Sequence, residues 1–249
     1  MNPYLAEFIG TALLVLFGNG VVANVVLART KGNNGGWIVI TAGWGLAVFI
    51  GAFCAAPFSG AHLNPAVTLA MALASKLETA KVAGYIGAQM LGGITGAALV
   101  FLYYREHFKA SADADGKLAC FCTAPNIRSI PQAFFCELVG TFCLILPIFL
   151  MTDVKFKWPT GTEEMHVVVG LGSLGLVPVA LLVFAIGLSL GGTTGYAINP
   201  ARDLGPRLAH AFLPVPGKRD SDWGYAWVPV VGPLAGAALA AGVQAVLHL

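Results

Sequence analysis

One short polar motif occurs twice in this chain of 249 residues, and each copy interrupts a long apolar stretch. The copies are Asn64-Pro65-Ala66 and Asn199-Pro200-Ala201. Asparagine is a preferred helix N-cap and proline is favoured at the first helical position, so a helix is predicted to begin at each proline. The asparagine oxygen then accepts a backbone N–H, which leaves its NH2 group free. Two such groups at facing, electropositive helix N-termini would hold the oxygen of water or an alcohol and repel cations.

A plainer interpretation is that each triplet only caps an ordinary helix in a loop. That fits a single triplet, but a helix break inside apolar sequence is costly unless it lines a cavity, and here it occurs twice. A paired, pore-lining structure is therefore the leading hypothesis. The backbone carbonyls expected to face this pore precede the triplets and belong to Gly60, Ala61, His62, Leu63, Gly195, Tyr196, Ala197 and Ile198.

Four charged residues lie within the apolar stretches of the chain. Arg202 is an ionisable group at membrane depth, so we expect it to line the pore, the alternative being that it extends to the membrane interface. Asp203 follows it and is expected to support the loop or to offset the arginine charge. Glu7 and Glu137 occupy matching places and are expected to accept backbone hydrogen bonds from the triplet loops. A proton relay through these two acids is the alternative.

Composition indicates that the helices carrying these residues lie in a membrane. The chain is 57% hydrophobic and 10% charged, whereas a soluble domain is about 25% charged. Four uncharged or nearly uncharged stretches each suit one helix, which needs about 20 residues to span the bilayer. Two longer stretches need a full span and then a half-helix. We predict spans at 37–57 and 176–190, followed by half-helices at 65–75 and 200–212.

The two halves of the chain repeat beyond the triplets. Residues 7–11 resemble 137–141, and residues 92–99 resemble 232–239. Three spans per half place the second half in the opposite orientation, which is an inverted repeat. The sequence therefore predicts an all-α membrane protein with six transmembrane helices and two re-entrant half-helices. The chain is expected to form one channel domain. This domain consists of repeat one at 1–104, a connecting loop at 105–130 and repeat two at 131–249.

The segments 59–68 and 195–206 resemble those of the major intrinsic protein family, and specifically its aquaglyceroporin branch with the bacterial glycerol facilitators. The resemblance covers essentially the whole chain. It implies an aquaporin-like fold, a pore in each subunit, a homotetramer in the lipid bilayer of the cell (inner) membrane, and cytoplasmic termini. The distribution of lysine and arginine gives the opposite orientation by the positive-inside rule, so charge alone leaves the topology open.

The same resemblance implies a narrow selectivity filter at four positions, which are Trp44, Gly187, Tyr196 and Arg202. Water-selective members usually carry histidine where this chain has Gly187, so the glycine implies a wider filter. Two aromatic residues would face the carbon backbone of a solute, and the arginine its hydroxyl groups. Glycerol facilitators commonly have phenylalanine in place of Tyr196, and the added hydroxyl would either narrow the filter or add a hydrogen-bond partner.

These observations predict a passive channel for glycerol and other small neutral solutes, with some water, that excludes protons and ions. A mainly water-selective aquaporin, an ion-coupled transporter and a membrane enzyme are the alternatives. No enzymatic site, cofactor or metal is expected, and no basic block suggests nucleic acid. Cys120 and Cys122 form a C-x-C pair that is weak evidence for a metal or disulfide. Whether the long loop 153–175 gates the pore is left open.

Overall fold

The structure is a computed structural model that describes residues 1–152, 154–160 and 163–247, with the backbone alone for 154–160 and 163–169. The helices in this described chain are α1 (Pro3–Val26), α2 (Trp37–Ser59), α3 (Pro65–Leu73), α4 (Thr79–Tyr103), α5 (Arg105–Ala110), α6 (Ala114–Ala119), α7 (Ile130–Leu150), α8 (Val177–Leu190), α9 (Pro200–Phe212) and α10 (Val228–Val246). A 3-10 helix, Gly172–Leu176, leads into α8.

Six of the helices in the described residues are long and apolar enough to cross a membrane. They are α1, α2, α4, α7, α8 with its preceding 3-10 turn, and α10. The α2 helix begins at Trp37, where the sequence predicts it, and runs on to Ser59 because Pro57 in its last turn does not end it. The six spans predicted from the apolar stretches are therefore present in the fold.

Two shorter helices, α3 and α9, begin at the prolines of the repeated triplets. They contain 9 and 13 residues, so at 1.5 Å per residue they are about 14 and 20 Å long and cannot cross a bilayer alone. The α3 helix packs against α10, and α9 packs against α4. Each short helix therefore docks on a long helix from the other half of the chain, and this exchange holds the halves together.

The connection between the halves is more structured than the polar loop predicted for 105–130. It contains α5 and α6, and its segment Cys120–Cys122 is buried. All five cysteines are free thiols, and burial raises the pKa of both Cys120 and Cys122. These two residues therefore act as small core residues of the connection, since an unreactive neutral thiol packs like an apolar group.

An antiparallel hairpin lies between α7 and α8, in the loop whose role the sequence leaves open. Its strands are β1 (Val154–Thr160) and β2 (Glu163–Val169), with Val154 paired to Val169 and Thr160 to Glu163. Residues 153, 161 and 162 lie outside the described residues. The hairpin adds a small extramembrane element to an otherwise helical fold.

Glycines allow the long helices of each half to approach closely. A Cβ built on Gly96 of α4 would lie 2.5 Å from the carbonyl oxygen of Ala12 in α1. The equivalent contact in the second half places Gly236 of α10 against the carbonyl of Leu138 in α7. Small residues at these crossings let the backbones pack in direct contact, which is how helices associate in a lipid environment.

We predict that Gly96→Ala destabilises the protein, because the added methyl group must displace the backbone of α1. Overpacking of this kind typically costs about 1–3 kcal/mol. Gly87→Ala is the matched control, since Gly87 lies on the same helix and no atom of the described residues is within 4 Å of its added Cβ. Thermal unfolding of both variants in detergent tests this, and equal midpoints would contradict it.

Candidate functional site

The two triplet asparagines cap α3 and α9 as their sequence predicts. Asn64 has φ −158° and its side-chain oxygen accepts the backbone N–H of Ala66 at 2.8 Å. Asn199 has φ −157°, and its oxygen accepts the N–H of Ala201 at 3.0 Å and of Arg202 at 3.2 Å. Each cap satisfies N–H groups that the first turn of a helix leaves without intrahelical partners.

The NH2 groups of these asparagines cross between the two halves of the chain. Asn64 Nδ2 donates to the carbonyl oxygen of Ile198 at 2.8 Å, and Asn199 Nδ2 donates to that of Leu63 at 2.9 Å. The sequence predicts a free NH2 group at each site. The structure shows that one N–H of each amide joins the opposite loop, which leaves one N–H for another partner.

Both asparagines line a cavity of about 430 Å³ that runs along the half-helices. Of the eight residues whose carbonyls are expected to face the pore, seven also line this cavity. The eighth, Gly195, lines a second cavity of about 310 Å³. The Leu63 and Ile198 carbonyls bind the asparagine amides, so each keeps only one lone pair for a solute. His62 lies on the same wall, with Nδ1 3.2 Å from Thr68 Oγ1.

The loop before each half-helix has a strained backbone. Non-glycine residues with positive φ occur at matching places, Ala61 and Leu63 in the first loop, and Tyr196 and Ile198 in the second. Such conformations cost about 1–3 kcal/mol each and persist only when the surroundings hold them. They point successive peptide groups to opposite sides, so the N–H groups need acceptors behind the loop.

Glu7 supplies these acceptors in the first half, from a fully buried position in α1. One carboxylate oxygen accepts the Ser59 hydroxyl at 2.6 Å and the His62 N–H at 2.9 Å. The other accepts the Leu63 N–H at 2.7 Å and the side-chain amide of Gln89 at 2.8 Å. Four charge-assisted hydrogen bonds therefore balance the desolvation of this carboxylate.

Glu137 does the same for the second loop from α7, and it is also fully buried. One oxygen accepts the Thr194 hydroxyl at 2.7 Å and the Ala197 N–H at 3.0 Å. The other accepts the Ile198 N–H at 2.8 Å. The sequence pointed to both acids, but it gave no role to Ser59 and Thr194, although these residues stand at equal distances before Asn64 and Asn199.

A constriction separates the two cavities. Trp44, Tyr196 and Arg202 line both of them, so these three side chains lie between the two volumes. The Arg202 guanidinium lies 4.0 Å above the Trp44 ring, and its NH2 group is 3.5 Å from the Gly195 carbonyl oxygen. Arg202 is 7% exposed, so it stays inside the helix bundle and does not extend to the membrane interface.

Asp203 binds different partners from the arginine beside it. Its carboxylate accepts the backbone N–H and the hydroxyl of Thr123, each at 2.7 Å, and it forms a fully buried ion pair with Arg207 at 2.8 Å. The expected loop-supporting contact is thus made to the segment between the halves, while the charge that Asp203 directly neutralises is that of Arg207 rather than Arg202.

Arg207 is a residue of this site that the sequence did not single out for a role. Its guanidinium also donates to the carbonyls of Thr123 at 2.8 Å and Ser221 at 2.8 Å, so it joins α9 to two connecting segments. Nearby, hydrogen bonds from Arg128 lower the pKa of Asp222, which keeps that carboxylate charged. The i,i+4 spacing of Asp203 and Arg207 could have indicated their ion pair, but the carbonyl partners Thr123 and Ser221 lie in other segments and gave no signal.

We predict that Glu137→Gln lowers the free energy of unfolding by about 2 kcal/mol, because glutamine keeps one acceptor oxygen and turns an NH2 group toward a backbone N–H. Glu106→Gln is the control, since Glu106 is an exposed acid paired with Lys109. Thermal unfolding in detergent measures both. A Glu137→Gln protein as stable as the control would show that the carboxylate does not hold the loop.

The chain is similar to proteins of known family over nearly its whole length. The sequence profile described as Major intrinsic protein matches residues 1–244. A Thermotoga maritima protein named "Probable glycerol uptake facilitator protein" is 51% identical over 243 residues, which are 98% of each chain. The "Glycerol uptake facilitator protein" of Streptococcus pneumoniae is 49% identical over 240 residues, which are 96% of this chain and 97% of its own.

A solved structure shows the same architecture. The aquaglyceroporin from Plasmodium falciparum superposes with a TM-score of 0.81 at 33% identity, over 97% of this chain and 93% of its own. The predicted aquaporin-like arrangement of six spans and two half-helices is therefore confirmed. With the profile match, the two relatives and the shared fold, this chain is an integral membrane protein that belongs to the major intrinsic protein family.

Proposed function

We propose that this protein is a passive channel for glycerol and other small neutral solutes, that it passes some water, and that it excludes protons and ions. The observation that carries the proposal is the constriction, where a buried guanidinium lies on one aromatic ring beside a second aromatic residue. A polyol has a hydroxyl edge and a carbon edge, and this surface complements both. The names of the relatives as glycerol uptake facilitators support the same solute class.

Each filter residue has a role in this proposal. Arg202 donates N–H groups to passing hydroxyls, while Trp44 and Tyr196 contact the carbon backbone. Gly187 adds no side chain, which favours a polyol over water alone as the solute. Along the cavity the loop carbonyls accept hydrogen bonds from the same hydroxyls, so a solute exchanges its hydration shell for fixed polar groups.

Proton exclusion follows from the half-helix tips. One N–H of each triplet asparagine remains after the cross-loop bond, and both asparagines line the cavity. A water molecule there accepts hydrogen bonds at the positive ends of two helices and cannot pass a proton along a wire. Arg202 adds a fixed positive charge that repels cations in the same passage.

Ion-coupled transport is the weaker proposal, because the two membrane acids are already engaged. Glu7 and Glu137 each hold a loop through several hydrogen bonds and are fully buried behind it. Neither therefore serves as a proton relay. We also propose a channel rather than an enzyme, since the polar groups of the site are arranged to bind solutes in passage.

The organisation that we propose follows the repeat. One channel domain, 1–249, contains repeat one at 1–104, the connection at 105–130 and repeat two at 131–249. Large apolar residues such as Leu46, Leu91 and Leu102 are more than half exposed on the spans, which supports lipid or subunit contact there. We propose a homotetramer in the cell (inner) membrane with both termini in the cytoplasm.

Stopped-flow light scattering on proteoliposomes tests the function. We predict that the protein accelerates glycerol entry as well as water flow, with no pH change in the vesicles under a proton gradient. Gly187→His should lower glycerol permeability more than water permeability, because even a Cβ there would lie 2.8 Å from the Tyr196 ring. Steric discrimination of this kind is typically about ten-fold, so we expect the ratio of glycerol to water permeability to fall by about that factor.

The control is Gly242→His, since Gly242 of α10 lines neither cavity and no atom of the described residues lies within 4 Å of a Cβ built on it. Water flow without glycerol entry in the unmodified protein would favour the water-selective alternative. Equal losses of both permeabilities in Gly187→His would count against the proposed filter.

A further inference from the structure

The ring of Tyr196 lies against a glycine face of α8 instead of standing free at the constriction. A Cβ built on Gly187 would lie 2.8 Å from both Cζ and the hydroxyl oxygen of Tyr196, and one built on Gly191 would lie 2.5 Å from Cδ1. These glycines are one helical turn apart, so they expose a strip of backbone along which the phenol edge runs. Side chains at either position would occupy the space of the ring.

Trp37, the first residue of α2, packs against both the glycine strip and the Tyr196 ring. We call the space that Gly187, Gly191 and Trp37 form around the ring the tyrosine seat. The indole N–H of Trp37 donates to the Gly187 carbonyl oxygen at 2.9 Å, and its ring meets that of Tyr196 edge to face, with centroids 5.9 Å apart. A Cβ on Gly191 would also lie 2.9 Å from the Trp37 ring. One indole therefore contacts both the glycine strip and the tyrosine.

The tyrosine hydroxyl is turned into this seat and away from the passage. Tyr196 is 4% exposed, and its hydroxyl oxygen is buried with no hydrogen-bond partner among the described residues. The open side of the ring faces the cavities, since Tyr196 lines both. The sequence leaves open whether this hydroxyl narrows the filter or adds a hydrogen-bond partner, and in the structure it is packed against Gly187.

We infer that Trp37 and Gly191 are positioning residues that set the width of the constriction by holding the Tyr196 ring on α8. Neither belongs to the four filter positions, although both also line the smaller cavity beside Tyr196. The inference rests on the proposed channel function and deepens it, because it names what determines the size limit for the solute. A methyl group on Gly191 pushes the ring off α8 into the passage, and loss of the indole removes the contact that holds the ring there. A displaced ring takes up cross-section that a polyol needs and that the smaller water molecule does not.

Two glycine-to-alanine variants give a matched test. Gly191 has φ −77° and ψ −17°, so alanine suits its backbone, and the nearest atoms to the added methyl group belong to Tyr196, Trp37 and the Gly187 carbonyl. Gly191→Ala should lower glycerol permeability by about ten-fold while changing water permeability by less than about two-fold. Gly242→Ala is the control, because Gly242 of α10 lines neither cavity and its added methyl group has no atom of the described residues within 4 Å; it should keep both permeabilities.

Variants of Trp37 separate its two contacts. Trp37→Leu removes the indole N–H and the ring, and it should reduce the ratio of glycerol to water permeability in the same direction as Gly191→Ala. Trp37→Phe keeps an aromatic ring and should restore most of the ratio. Trp223→Leu, a change to a tryptophan that is 49% exposed, is the control for loss of surface indole. A purely structural role would instead lower both permeabilities by one factor.

Proteoliposome permeabilities and a cryo-EM structure of Trp37→Leu decide the matter. The expected result is a selective loss of glycerol flux, with the Tyr196 ring displaced from Gly187 and Gly191. An unchanged ratio, equal losses, or a ring still seated on α8 would overturn the inference. If the unmodified protein conducts water but no glycerol, the proposed function fails by itself, and the ring position in Trp37→Leu still tests the seat.

Discussion

The structure depends on a reciprocal pair of hydrogen bonds between two asparagine side chains and two loop carbonyls. Asn64 caps α3 and holds Ile198 of the second loop, while Asn199 caps α9 and holds Leu63 of the first. Each amide therefore fixes a helix start in its own half and a backbone carbonyl in the other. Neither half can place its cavity-lining groups alone, which explains why the motif occurs twice and why the short helices pack across the halves.

Buried carboxylates stabilise the two strained loops inside the membrane. The loops carry positive φ at non-glycine residues, and their backbone N–H groups face away from the cavity toward protein. Lipid offers no hydrogen bonds to such groups, so the acceptors must be built in. Glu7 and Glu137 accept several bonds each from one rigid helix, and the same bonds balance the desolvation of the charge. Strain, charge and burial are thus mutually compensating at two equivalent places.

Local chemistry was readable from the sequence, and contacts between distant segments were not. Capping rules placed the starts of α3 and α9 at Pro65 and Pro200, because an N-cap acts within one turn. The end of α3 at Leu73, two residues before the predicted one, reflects a turn through Ser75 with φ +57°. The carbonyl partners of Arg207 come from separate connections with no periodic pattern. The strands β1 and β2 likewise had no signal in a stretch interpreted as loop.

A common logic links the triplets to the constriction. Groups that line the cavities are held in place by their neighbours. Glu7 and Glu137, which line neither cavity, hold the loop carbonyls. Gly187, Gly191 and Trp37 hold the tyrosine ring, and the last two also line the smaller cavity. The width of a passage then depends on how its lining residues are packed, and a single added methyl group can change it because protein interiors have little free space. A filter described only by its lining residues omits this support. Two chains with the same residues lining a passage can therefore differ in its width if the residues packed against that lining differ.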